Sequence, residues 1–295
     1  MTIEDQASDA LRALHAGGEA PGRPALQANL RGMLEGWREW PDAMDFVDAD
    51  SPNHRCYAAM TALYARWIEA RLGGLPGGRV LDLACGSGRS AAITAPGAVR
   101  VGLDATRPSL EAARRHLPDD RLIWADVADL ADLDLGPEPF DAALAIELLC
   151  YLDDPAPVLA ALHARLRPGA PLVVSVEAWP GALLAAPPPL DQLARAATER
   201  VVHVPGERWV RLDTAEELAA RLRAAGFEVE AVAPSHVLLD GPLASILREA
   251  RLKDAPAVED LLAIEEALQG GSPPLPGRAW IALARRPFGG APAGA

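Results

Sequence analysis

Apolar residues recur along this chain with two different periods, and the change of period is the first structural signal. In the first quarter the spacing is helical. Leu63, Tyr64, Trp67, Ile68 and Leu72 fall on one face of a helix that starts near Met60 and ends at Gly73-Gly74. A second helix is expected over 26–40, where Pro41 stops it because the ring disfavours a helical preceding residue. Past Gly77-Gly78 short apolar runs take over, at 80–84, 99–104, 122–126, 140–146 and 172–176. Helical segments near 108–116 and 155–166 separate some of them. Strand, helix and strand in succession imply a parallel sheet with right-handed crossovers, and continuous apolar runs suit strands covered on both faces.

A later helix is marked at its start. Thr214 is a good N-cap and Glu217 completes a capping box, while Leu218, Leu222 and Ala225 form the stripe that Gly226 closes. The last strands are expected at 227–232 and 280–284. The stretch between them, 235–277, is too long for a hairpin loop and reads as an insertion with a helix near 258–268. There is no internal repeat. Residues 1–20 and 288–295 are rich in small side chains and are expected to fray. The domain organisation is a helical cap over 1–75 and an α/β domain over 76–290.

Composition narrows the partners. Of 295 residues, 28 are basic and 41 acidic, a formal net charge of −13. That balance argues against a nucleic-acid footprint, which needs clustered Lys and Arg, and is neutral or favourable towards a cationic ligand. No apolar run reaches the ~18 residues of a membrane span, and the acidic start carries no signal region, so the chain reads as cytoplasmic. Cys56, Cys85 and Cys150 are far apart and odd in number. They suggest neither a disulfide framework nor a zinc site, and no metal is expected.

The chemistry concentrates at Val80-Leu81-Asp82-Leu83-Ala84-Cys85-Gly86-Ser87-Gly88-Arg89-Ser90-Ala91. A strand runs into a glycine turn where backbone N–H groups can approach a ligand. Asp104 ends the next strand, where a carboxylate can accept both ribose hydroxyls of an adenosine. Gly86-x-Gly88-x-x-Ala91 with a later acid also fits a dinucleotide site. Asp82 points elsewhere. It lies inside the apolar first strand, where an unpaired carboxylate is costly and where anionic phosphates would be repelled. It suits a ligand that brings an ammonium, or a turn whose N–H groups it accepts. Asp126 ends the third strand within reach of an adenine amino group.

In order and spacing these pieces resemble the class I S-adenosylmethionine-dependent methyltransferases. Asp82 to Gly88 is similar to their first motif. Asp104 matches the ribose-binding acid, and Asp126-Val127 the pair flanking adenine. The run from Phe140 to Tyr151 resembles the fourth-strand motif and Leu166-Arg-Pro-Gly169 the turn before the fifth strand. Thr214–Leu218 and Ala225-Gly-Phe227 resemble the late helix and sixth strand. The resemblance covers about 76–234 and the final strand. It implies a Rossmann-like, doubly wound, mostly parallel seven-stranded sheet with the last strand antiparallel. It implies S-adenosyl-L-methionine as cofactor, S-adenosyl-L-homocysteine as product, and contacts from Asp82, Ala84, Cys85, Gly86, Ser87, Gly88, Asp104, Ala105, Asp126, Val127 and Ile146. Two departures stand out. Pro96-Gly97 leaves room for only a short first crossover helix, and Tyr151 stands where many members have His.

Methyl transfer disperses charge, so positioning should dominate, with a base needed only for a protonated nucleophile. The catalytic candidates are Glu147 and Tyr151 after the fourth strand, and His203 in Val-Val-His-Val-Pro. Glu147 serves equally as a helix N-terminal carboxylate, Tyr151 as a packing residue, and His203 as a structural histidine. Trp37, Trp40, Tyr57, Tyr64 and Trp67 either line a pocket under the cap or fasten it to the sheet, and Trp179-Pro180 is a candidate pocket rim. The expected partners are a small-molecule acceptor and a second copy in a homodimer. A peptide acceptor, a nicotinamide-dependent oxidoreductase and a non-catalytic nucleotide-binding protein remain the alternatives.

Overall fold

A computed structural model describes residues 2–204, 208–239, 241–242, 258–270 and 275–289. The strands are β1 (Glu4–Asp5), β2 (Arg79–Leu83), β3 (Val99–Asp104), β4 (Arg121–Trp124), β5 (Ala142–Ala145), β6 (Pro171–Glu177), β7 (Val201–Val204), β8 (Arg208–Arg211), β9 (Glu228–Ser235) and β10 (Ala279–Arg285). Eight of them form one sheet in the order β1-β4-β3-β2-β5-β6-β10-β9, while β7 and β8 make a separate ribbon. The run from β1 to β6 is parallel, and β10 is antiparallel to both neighbours. The sheet reverses direction of growth at β2, between β3 and β5, which opens a crevice beyond the carboxyl ends of the strands.

The eighth strand is a departure from the expected seven. The described N-terminal residues, from 2 onward, are built into the fold rather than frayed. β1 pairs with β4 and becomes the edge of the sheet, Glu4 opposite Ile123, and α1 (Asp9–His15) buries Leu11 and Leu14 beside Leu110 and Trp124. Ion pairing of Glu4 with Arg121 at 2.7 Å fixes this edge. The small residues of that stretch hid two well-buried leucines. Of the C-terminal segment expected to fray, residues from 290 onward lie outside the described residues.

The cap helices are α2 (Pro24–Glu39), α3 (Pro41–Met44) and α4 (His54–Leu72). α4 does what the first crossover helix would otherwise do. After β2 the chain makes only a 3₁₀ turn, Arg89–Ile93, before Pro96-Gly97 turns it into β3. α4 covers the vacant sheet face instead, placing Tyr64 and Ile68 on Val80, Ala142, Leu144, Val173 and Ile281. The other face carries Leu81, Leu83, Val101, Leu103, Ala143 and Val174. It is covered by α6 (Ala156–Arg165) and α9 (Ala215–Ala224) through Leu159, Leu162, Leu218 and Leu222. Successive β2 residues Val80 and Leu81 thus enter opposite cores, as the pleat requires.

α5 (Arg107–His116) follows β3, α7 (Gly181–Ala185) and α8 (Leu190–Glu199) follow β6, and the Thr214–Glu217 capping box opens α9 with both hydrogen bonds made. α10 (Val258–Gln269) lies in the expected insertion, of which 240, 243–257 and 271–274 are outside the described residues. Its buried Glu265 accepts the backbone N–H groups of Val237, Leu238 and Leu239, capping the exit of β9. Among the described residues no helix is long and apolar enough to cross a membrane.

Candidate active site

A cavity of about 1020 Å³ fills the crevice between the strand ends and the cap. Its inner wall is the loop after β2. Ala84 leaves the strand with φ +56°, a region that costs a non-glycine residue strain, and Gly86 and Gly88 follow with φ +55° and +95°. At Gly88 there is also no room, since a Cβ there would meet the Leu117 side chain at 2.5 Å. Gly88 therefore shapes the turn and packs it on α5, without itself lining the cavity.

The three strand-end acids converge on this wall. Asp82 is buried and accepts a hydrogen bond from Ser90 Oγ; burial raises its pKa to about 7. Asp104 accepts the Thr106 N–H at 2.7 Å and the Gly86 N–H at 2.9 Å, so it holds the glycine loop as well as facing the cavity. Burial raises its pKa against these bonds. Asp126 accepts the Ala128 N–H at 3.0 Å and is paired with Arg23 at 2.5 Å, the residue that opens α2. The cap is thereby fastened over this end of the crevice. Cys85, Ser87, Ala105, Val127 and Ile146 complete the lining, and all but Ala105 are buried. Ser87 Oγ is buried with no hydrogen-bond partner among the described residues.

The outer half of the cavity is built by β5, β6 and the cap. Glu147 follows β5 with φ +53°, and its N–H is held by Ser175 Oγ at 2.8 Å. Its carboxylate meets Arg89 at 2.9 Å and accepts from Tyr64 Oη at 3.3 Å. Burial opposes its ionisation, but Arg89, His236 and Arg278 outweigh burial and bring its pKa down to about 2. Glu147 is therefore a fixed anion and a poor base at neutral pH. Tyr151 donates to Glu177 Oε1 at 3.0 Å, and burial with the Glu177 charge raises its pKa well above the usual value. Glu177 is also gripped by Arg278, at 2.7 Å.

His203 stands apart from these two. It lies on the β7–β8 ribbon opposite Trp209 and does not line the cavity. Trp179 packs against the main core and likewise does not form the rim. Of the cap aromatics, Trp40 and Tyr57 line the cavity, with Phe46 stacked on Tyr57 at 3.8 Å. Tyr64 and Trp67 pack on the sheet, and Trp37 donates to Ser109 Oγ at 2.9 Å. Arg89, Glu177, His236 and Arg278 were absent from the sequence expectations. Glu177 carries the same signal as Asp104 and Asp126, an acid closing an apolar strand. The others are singled out by no local pattern.

A family model described as a methyltransferase domain matches residues 57–232. The chain belongs to the class I S-adenosylmethionine-dependent methyltransferases. It is an enzyme of that family, with S-adenosylmethionine as cofactor, and the nicotinamide alternative falls away. The chain is 29% identical over 263 residues to a 37.1 kDa protein in transposon Tn4556 of Streptomyces fradiae, covering 84% of this chain and 68% of that one. It is 32% identical over 112 residues to the ubiquinone biosynthesis O-methyltransferase of Aeromonas salmonicida, 37% of this chain and 47% of that protein. Among solved structures it is similar in fold to the 1,6-didemethyltoxoflavin-N1-methyltransferase of Burkholderia thailandensis. The TM-score is 0.52 at 22% identity, covering 88% of this chain and 87% of that one.

Proposed function

We propose that this methyltransferase transfers the methyl group of S-adenosylmethionine to an oxygen, nitrogen or carbon of a small molecule held between the strand ends and the cap. The observation that carries the reading is the division of one cavity into two chemically different halves. The inner half has a glycine loop and three carboxylates at strand ends. The outer half has aromatic rings and fixed ion pairs.

The residues present fit the cofactor. Ser87 Oγ, buried without a partner among the described residues, is the kind of group that a ligand satisfies. In this reading Asp104 accepts the ribose hydroxyls and Asp126 with Val127 flanks adenine. Asp82, Ala84, Cys85, Gly86 and Ser87 surround the methionine portion, and Ile146 walls the methyl-bearing end. When bound, the cofactor supplies an electrophilic methyl carbon on a sulfonium. The chain's own residues then orient and exclude water. Glu147 and Tyr151, both tied into hydrogen-bonded pairs, position the acceptor rather than remove its proton. An acceptor that is deprotonated in solution, or a neutral amine, suits this arrangement. The acceptor as a small molecule, rather than a peptide, is supported by a cavity roofed by α2 and lined on both sides by buried residues.

Asp104→Asn should weaken S-adenosylmethionine binding by about 1–3 kcal/mol, the cost of leaving hydrogen bonds to a charged group unmade. Calorimetric titration measures this directly, and an unchanged affinity would remove Asp104 from the site.

A further inference from the structure

Among the described residues, the charges that line the cavity are matched with one exception. At the inner end Asp82 holds Ser90, Asp104 holds two backbone N–H groups and Asp126 holds Arg23. Glu147 is paired with Arg89. Asp153 accepts the Ala25 N–H at 2.8 Å, and Asp154 the Ala156 N–H at 2.9 Å, so both cap helices. At the mouth Glu35 and Glu39 share Arg38. Among the lining cations, Arg23, Arg89 and Arg278 each have a carboxylate partner, the last in Glu177. Arg208 also lines the cavity, and among the described residues its side chain has no carboxylate and no hydrogen-bond partner. Its Nε is sealed from water with that donor unmet.

The position of Arg208 is held firmly. It opens β8, next to Trp209, whose N–H donates to Asn29 Oδ1 of α2 at 2.8 Å. Asn29 in turn donates to the Tyr151 carbonyl at 3.3 Å, and Arg211 donates to the Leu152 carbonyl at 2.9 Å. The ribbon is thus pinned between α2 and the turn after β5. That turn carries Tyr151, one of the residues of the outer half of the cavity. A half-buried guanidinium there with no anion among the described residues is a ready partner for an anionic group, to which its planar fork donates two parallel bonds.

Resting on the reading above, we propose that the methyl acceptor carries an anionic group, a carboxylate or phosphate, which Arg208 binds while the aromatic rings of Tyr57 and Phe46 face the body of the molecule. The ribbon, which has no part in the sheet, is then a specificity element.

The test uses full-length protein saturated with S-adenosylhomocysteine, titrated with two matched fragment pairs, benzoate against benzamide and 2-naphthoate against 2-naphthamide. The acids should bind at least tenfold more tightly than the amides, and added salt should narrow the gap. Arg208→Met should abolish the preference with S-adenosylhomocysteine affinity unchanged, and Arg208→Lys should retain part of it. Equal affinities for acid and amide, a preference that survives in Arg208→Met, or binding of neither fragment would overturn the proposal. Failure of the protein to bind S-adenosylhomocysteine at all would instead overturn the cofactor reading on which it rests.

Discussion

Glu147 and Asp82 are two buried carboxylates in one site, and their surroundings push them in opposite directions. Glu147 is surrounded by Arg89, Arg278 and the His236 ring, and stays ionised. Asp82 has one hydroxyl partner and titrates near 7. His236 adds a third case. It is buried against Tyr64, its ring edge-on at 4.8 Å, and burial together with Arg89 and Arg278 lowers its pKa to about 3 despite Glu147. The signs can be worked out. His236 is neutral in the folded state and takes a proton on unfolding below about 6.5, so its contribution to stability is lost as pH falls. Asp82 holds a proton that the unfolded state has released above about 4, so its cost grows as pH rises towards 7. Each slope is at most about 1.4 kcal/mol per pH unit, and between pH 4.5 and 6.5 the two oppose one another. The contributions of these two groups should therefore largely cancel over that window. His236→Asn, which tolerates the φ of +62° at that position, should gain stability towards acid, and Asp82→Asn should lose it. Denaturant midpoints at a series of pH values measure this, and parallel curves for all three proteins would contradict the assignment.

The elements whose ends are written in local chemistry were the ones legible in the sequence. α9 is the clearest, because Thr214 and Glu217 satisfy each other's backbone groups without help from the rest of the chain. Thr214→Ala should cost about 1 kcal/mol in thermal or chemical unfolding, and a loss below a few tenths would mean that tertiary contacts hold this end instead. The short crossover after β2 was legible too, from Pro96-Gly97. What replaces it was not. That α4 lies across β2, β5 and β6 rests on long-range contacts, such as Tyr64 reaching Ser175 at 3.2 Å across 111 residues of chain. β1 was missed because two residues leave no periodicity, and the β7–β8 ribbon because its alternation is short. In the site the strand-end acids could be found because a carboxylate ending an apolar run is itself anomalous. Arg89 and Arg278 could not, since a buried arginine is recognised only when its partner is known. His203 and Trp179 were plausible by residue type alone and lie away from the cavity lining.

At the scale of the whole molecule, the net charge of −13 does not describe the site. Most of the lining charge is paired internally, and the first half of α2 is fastened over the crevice, by Arg23 to Asp126 and by Asn29 to the turn after β5. α2 roofs the cavity, so it is the element expected to govern entry. The sheet order, with its reversal at β2, puts the glycine loop and the three acids where such folds bind their ligands. The central claim is that this crevice holds the adenosyl portion of the cofactor, with Asp104 on the ribose and the loop at 84–88 along the amino-acid tail. Crystals grown with S-adenosylhomocysteine test it most directly. Density for the ligand against Ala84–Ser87, with ribose oxygens within hydrogen-bond reach of Asp104, is the expected result. An empty crevice at saturating ligand, or the ligand bound elsewhere on the chain, would contradict it.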